Sequence, residues 1–202
     1  MQARAAYFFR NAWSYRHRSV HGGLVVGSLL GRLGLLTLLL SACATQPAQS
    51  PLPLASAVDL DRFMGDWYVI ANIPTFLERD AYHAIERYER AADGTIATTF
   101  TFRKGAADGP LKTYHPRGFV QDTTTNAVWG MQFVWPIKAD YRILYVSSDY
   151  RYTLIGRERR DYAWIMARTP TIPEADLAEL IDRLVAAGYD RSMIRLVPQP
   201  RS

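Results

Sequence analysis

The chain has 202 residues and a formal charge of +5, with 24 Lys and Arg against 19 Asp and Glu. The excess is local: residues 1–42 carry Arg4, Arg10, Arg16, Arg18 and Arg32 and no acid, so the remaining 160 residues are formally neutral, which excludes a basic nucleic-acid face. The single cysteine, Cys43, excludes an intramolecular disulfide and a cysteine-rich metal site, while 160 residues suffice to bury a sizeable core.

Residues 1–42 read as an export signal: arginines first, then the apolar run 33–40, then small residues. That run is too short to span a bilayer as a helix. Its end, Leu40-Ser41-Ala42-Cys43, resembles the bacterial lipobox. The resemblance implies that Cys43 is lipidated, palmitate included, and becomes the mature N-terminus. Ala44 stands where an aspartate would favour inner-membrane retention, so the implied site is the outer membrane. Residues 43–57 give the lipidated cysteine and a Pro/Ser/Ala linker, semi-stiff and extended.

Asp59 is the expected N-cap of one short helical turn. The stretch Gly65-Asp66-Trp67-Tyr68-Val69-Ile70-Ala71-Asn72-Ile73 then reads as a long strand, with Trp67, Val69, Ala71 and Ile73 on one apolar face. Strands follow at 82–90, 95–103, 112–121, 127–135, 141–147, 152–157 and 162–168, with Asp93-Gly94 as a hairpin turn signal. Eight strands at short, even spacing predict an up-and-down antiparallel barrel. The period then changes to that of a helix, opened by Pro173 and Glu174, striped by Leu177, Leu180, Ile181 and Leu184, and stopped by Gly188. A short ninth strand is expected at 193–197.

Three short motifs fall on this frame in order. Gly65-Asp66-Trp67 opens the first strand, Ser148-Asp149-Tyr150 lies between the sixth and seventh, and Arg168 ends the eighth. Together they resemble the three signatures of the lipocalin family, with Ser148 in place of a threonine. The runs 162–170 and 65–71 look like its bacterial outer-membrane lipoprotein branch, to which apolipoprotein D is the animal relative. The resemblance covers residues 58–198. It implies an all-β, eight-stranded barrel with a C-terminal helix, in which Gly65, Trp67, Asp149, Tyr150 and Arg168 are structural and Arg168 stacks over Trp67 at the narrow end.

It also implies a cavity for a fatty acid or a lysophospholipid. The expected lining is Val69, Ala71, Phe100 or Phe102, Phe133 and Trp164, with Lys138, Tyr141 and Tyr145 meeting the headgroup near the mouth. The expected partners are that lipid and the membrane reached through Cys43; a homodimer is compatible with the sequence. The domain would face the periplasm and serve envelope maintenance. No cofactor or metal is expected, since His83 and His115 lack a ligand-spaced neighbour. No catalytic dyad stands in a recognisable context. Two other readings stay open here: a structural lipoprotein with a side-chain-filled barrel, and a lipocalin-fold enzyme.

Overall fold

A computed structural model describes residues 50–200. The leader, Cys43 and the linker up to residue 49 lie outside the described residues. The fold opens with α1 (Leu60–Phe63), where the Asp59 carboxylate accepts from the backbone N–H groups of Asp61 and Arg62 at 2.9 and 3.2 Å. Gly65 follows with φ +93°, a left-handed turn into β1 (Gly65–Ile73).

The staves are β1, β2 (Ala81–Arg90), β3 (Ile96–Lys104), β4 (Leu111–Tyr114) with β5 (Arg117–Val120), β6 (Val128–Val134), β7 (Ile137–Val146), β8 (Tyr152–Gly156) and β9 (Ala163–Ala167). β4 and β5 are two pieces of one stave. Both pair with β3, and the break falls at Pro116, which has no N–H for the ladder. Neighbours pair antiparallel in chain order, and β1 pairs with β9 from Tyr68↔Ala167 to Ile73↔Ala163. The sheet is therefore a closed barrel of eight staves. β2 pairs with β1 only at residues 65–68. Beyond that, β10 (Arg195–Leu196) pairs with β1 at Ala71 and Asn72.

The expected parity of β1 fails at one point. A register shift between Val69 and Ala71 inserts a bulge. Trp67 and Val69 point into the barrel, whereas Ala71 and Ile73 belong to a second core outside it. That outer core lies under α2 (Glu174–Ala186), whose Leu180 and Leu184 pack with Leu144, Leu154, Ala163 and Ile165. The barrel's two rims differ. The turns at 91–95, 121–127 and 147–151 lie at the end closed by α1. The turns at 74–80, 105–110, 135–136 and 157–162 surround the other.

Candidate functional site

The closed end is a plug of rings. Phe63 from α1 lies 5.1 Å from Trp67 and 5.6 Å from Trp129, edge-on to the latter; Tyr88 meets Trp129 at 5.8 Å, and Trp129 stacks on Tyr141 at 5.4 Å. Trp67 and Trp129 are fully buried, so their indole N–H groups require acceptors. They find the carbonyls of Phe63 and Asn126 at 2.8 and 2.7 Å.

Arg168 covers this plug. Its guanidinium lies 3.8 Å from the Trp67 ring centre. It donates to the carbonyls of Asp66 (2.8 Å), Arg62 (2.7 Å), Phe63 (3.2 Å) and Tyr150 (3.4 Å). Gly65 explains the approach: a Cβ there would sit 3.4 Å from Nη1 of Arg168 on a backbone that L residues rarely adopt. Asp149 accepts from the Ser147 hydroxyl at 2.6 Å, which holds its carboxyl below the usual range. Tyr150 takes φ +60°, accepts from the Asp59 N–H at 2.8 Å, and lies under Arg62. All five signature residues therefore converge on the closed end.

Above the plug, the wall is Val69, Ile143, Ile155 and Met166 on one side and Phe100, Phe102 and Tyr114 on the other, the last two stacked at 6.1 Å. Both candidate phenylalanines face inward. Trp164 does too. It pairs with Asn72 across the barrel seam, and its N–H donates to Oε1 of Glu78 at 2.7 Å.

Glu78 ends a 3₁₀ turn (Phe76–Glu78) of the mouth and folds inward. Its other oxygen accepts from the Thr75 backbone N–H at 3.2 Å and from the Thr75 hydroxyl. Burial raises its pKa, and the hydrogen bonds from Thr75, Trp164 and Asn72 oppose the shift. A second acid lies deeper. Glu86 pairs with Trp67 on one side and Phe100 on the other, which fixes it on the inner face. The Tyr88 hydroxyl donates to Glu86 Oε2, and Tyr88 and Tyr141 share a hydroxyl–hydroxyl bond of 2.7 Å. Burial, with Glu78 nearby, pushes Glu86 up to about 8.

Several residues expected in the lining lie elsewhere. Ala71 is outside, beneath α2, because of the β1 bulge. Tyr145 is outside as well. A register shift between Ile143 and Tyr145 turns it toward the helix, where Arg183 sits 4.4 Å over its ring. Lys138 is on the outer face, 3.6 Å over the Phe119 ring, beside the position a Gly130 side chain would take. Phe133 follows another register irregularity and is 40% exposed near the mouth instead of lining the wall. Tyr141 faces inward, but it belongs to the floor and not to the mouth.

Sequence periodicity overlooked Glu78, because it sits in an irregular turn. It also overlooked Glu86, although the alternation Ala84, Glu86, Tyr88 was there to find. Lys112 pairs with Phe102, and with Lys104 at the end of β3 it puts positive charge on the inner face near the mouth. Among the described residues no group of three or more His, Cys, Asp or Glu is placed to hold a metal.

Residues 58–199 match the Lipocalin-like domain family. Temperature-induced lipocalin-1 of Arabidopsis thaliana is 28% identical, over 73% of this chain and 83% of its own. Outer membrane lipoprotein Blc of Escherichia coli K12 is 28% identical, over 81% of this chain and 92% of its own. Apolipoprotein D of Bos taurus is 22% identical, over 73% and 80%. Insecticyanin of the tobacco hornworm Manduca sexta has the same fold at TM-score 0.56, 17% identity, and 75% and 85% coverage. With the closed barrel, its arginine-capped tryptophan and the flanking helix, the match over residues 58–199 makes the chain a member of the lipocalin family.

Proposed function

We propose that this lipocalin binds, stores or carries single-chain lipids, fatty acids or lysophospholipids, at the outer membrane, tethered through a lipidated Cys43 with its domain in the periplasm. One observation carries the reading: the barrel is solid at one end and accessible at the other. Trp67, Tyr88 and Trp129 have essentially no exposure, whereas the inward residues Glu86, Tyr114 and Trp164 remain partly accessible. The apolar wall of Val69, Phe102, Ile143, Ile155 and Met166 is almost fully buried, so a chain-like ligand would enter along the accessible side formed by Glu86, Tyr114 and Trp164. The mouth adds exposed apolar side chains, Leu111, Trp135 and Ile137, over which a lipid tail passes at little cost.

The tether rests on the lipobox ending in Cys43 and on the relative named as an outer membrane lipoprotein. A carrier is favoured over an enzyme because Glu78, Tyr88 and Tyr141 are engaged with their neighbours and the wall, and no nucleophile with an adjacent base stands among the described inward groups.

Native mass spectrometry of the full-length protein, released from membranes into amphipol, tests the lipid. The expected spectrum carries one bound single-chain lipid per barrel, and a bare barrel after exposure to such lipids would favour the filled-barrel reading. Radiolabelled palmitate tests the tether: it should enter wild type and not Cys43→Ala.

A further inference from the structure

We infer that the floor of the chamber receives the polar end of the ligand, and that this end is a hydrogen-bond donor of the protonated-amine class in place of a carboxylate. The inference rests on the lipid-binding reading and, within it, favours single-chain lipids that carry an amine over fatty acids.

The floor is polar where a tail-first lipid would need it to be apolar. Glu86 lies between Trp67 and Phe100 on the inner face, directly above the ring plug. One of its oxygens takes the Tyr88 hydroxyl, which is linked in turn to the Tyr141 hydroxyl. No hydrogen bond to the other oxygen is made among the described residues, and Glu86 remains partly accessible. A methyl end pressed on this group would desolvate it with nothing in return. Burial favours a proton on Glu86 while no ligand is bound. An ammonium would displace that proton to solvent, donate to the carboxylate so formed and neutralise it, and the surrounding rings of Tyr88, Phe100 and Tyr114 suit a cation. A carboxylate would bring no opposite charge.

The inner face separates its charges by depth. The acids are Glu86 at the floor and Glu78 above it, and the cations, Lys112 on β4 and Lys104 at the end of β3, are near the mouth. An anionic end therefore belongs at the rim and a donor end at the floor. Glu78 is already committed to Thr75 and Trp164, which leaves Glu86 as the free acceptor.

The test compares three ligands of one chain length, dodecylamine, dodecanol and dodecanoate, by tryptophan fluorescence of the full-length protein in amphipol. Wild type should bind the amine at least tenfold more tightly than the carboxylate, with the alcohol between them. Glu86→Gln, which keeps shape and removes charge, should bring amine and carboxylate to within about threefold. In wild type alone, dodecylamine bearing a diazirine at its far carbon should label residues 133–137 of the mouth. Carboxylate binding as tight as amine binding, a preference that survives Glu86→Gln, or labelling of the segments around Trp67 and Phe100 would each overturn the inference while leaving a lipid carrier. Failure of all three ligands, dodecanol included, would overturn the lipid reading itself.

Discussion

The two ends of this barrel are built from similar residues and follow opposite rules. At the closed end each polar group is matched within the protein: both buried indoles have carbonyl acceptors, and Arg168 spends its donors on four carbonyls. In the open half Glu86 is hydrogen-bonded through one oxygen only, and Trp164 and Tyr114 keep accessible surface. Complete matching gives rigidity and leaves nothing for a ligand; incomplete matching costs stability and leaves something to bind. In this fold the tryptophan–arginine pair is thus the foundation, and the floor above it is the less completely satisfied part.

If that contrast holds, damage to the foundation must cost more than damage to the chamber. Trp67→Ala deletes a fully buried ring in contact with Phe63 and Arg168, and should cost about 3–5 kcal/mol in urea unfolding. Trp164→Ala removes an equally large but partly accessible ring, and should cost less than half of that. Equal costs would erase the distinction between the two ends.

Arg168→Ala comes next. It strips donors from four carbonyls and the cation from the Trp67 face, for a loss of about 2–3 kcal/mol. Because the two side chains touch, Trp67→Ala and Arg168→Ala should be non-additive by about 0.5 kcal/mol or more in a double-mutant cycle. Coupling near zero would show that the stacked geometry carries no energy.

The closed end was legible in the sequence because its motifs are local and their spacing is rigid. Gly65 with Trp67 starts one strand, Asp149 and Tyr150 make one turn, and Arg168 ends another, whatever happens between them. The chamber was less legible because its lining depends on strand parity, and parity is counted from a starting point. Tyr141 and Tyr145 are four residues apart and would share a face in a regular strand, but the shift after Ile143 sends one in and the other out. The same happens to Ala71 after Val69, and Phe133 follows a third irregularity. Lys138 is a different case. Its odd spacing from Tyr141 already placed the two on opposite faces. Glu78 carried no periodic signal at all, and only the folded mouth brings it to Trp164.

The two interior acids give the open half a pH signature that the closed end lacks. Glu86 is held up to about 8, and Glu78 is raised in the same direction. A carboxyl raised on folding keeps a proton that the unfolded chain releases, so its stabilising share is intact below about 4.5 and is lost as pH climbs through about 8. The groups facing Glu86 are Tyr88 and Tyr141 hydroxyls, Glu78, and the Trp67 and Phe100 rings, with Lys112 nearer the mouth. Ligand-free protein should therefore lose stability between pH 5 and 8, with a slope of at most about 1.4 kcal/mol per pH unit for each acid. Glu86→Gln should be the more stable form at pH 8 and should remove the share of that slope that belongs to Glu86, leaving that of Glu78. An unchanged slope would place the protonation elsewhere.

The smallest expected effect belongs to the outer face, and it tests the chamber's boundary. Lys138 and Tyr145 carry the residue types a headgroup site would want, yet each is occupied outside the barrel, one with Phe119 and the other with Arg183. An exposed cation over a ring contributes about 0.5–1 kcal/mol, so Lys138→Ala and Tyr145→Ala should each shift unfolding by no more than about that amount. Neither side chain has a path to the interior through the sheet, so dodecylamine and dodecanol affinities should stay within twofold of wild type. Trp164→Glu, on the inner wall beside Glu78, should by contrast weaken dodecanol binding strongly, because it replaces an apolar ring by an unpaired carboxyl. A large loss in Lys138→Ala with none in Trp164→Glu would invert the assignment of inside and outside. It would move the ligand from the accessible half of the barrel to its outer surface.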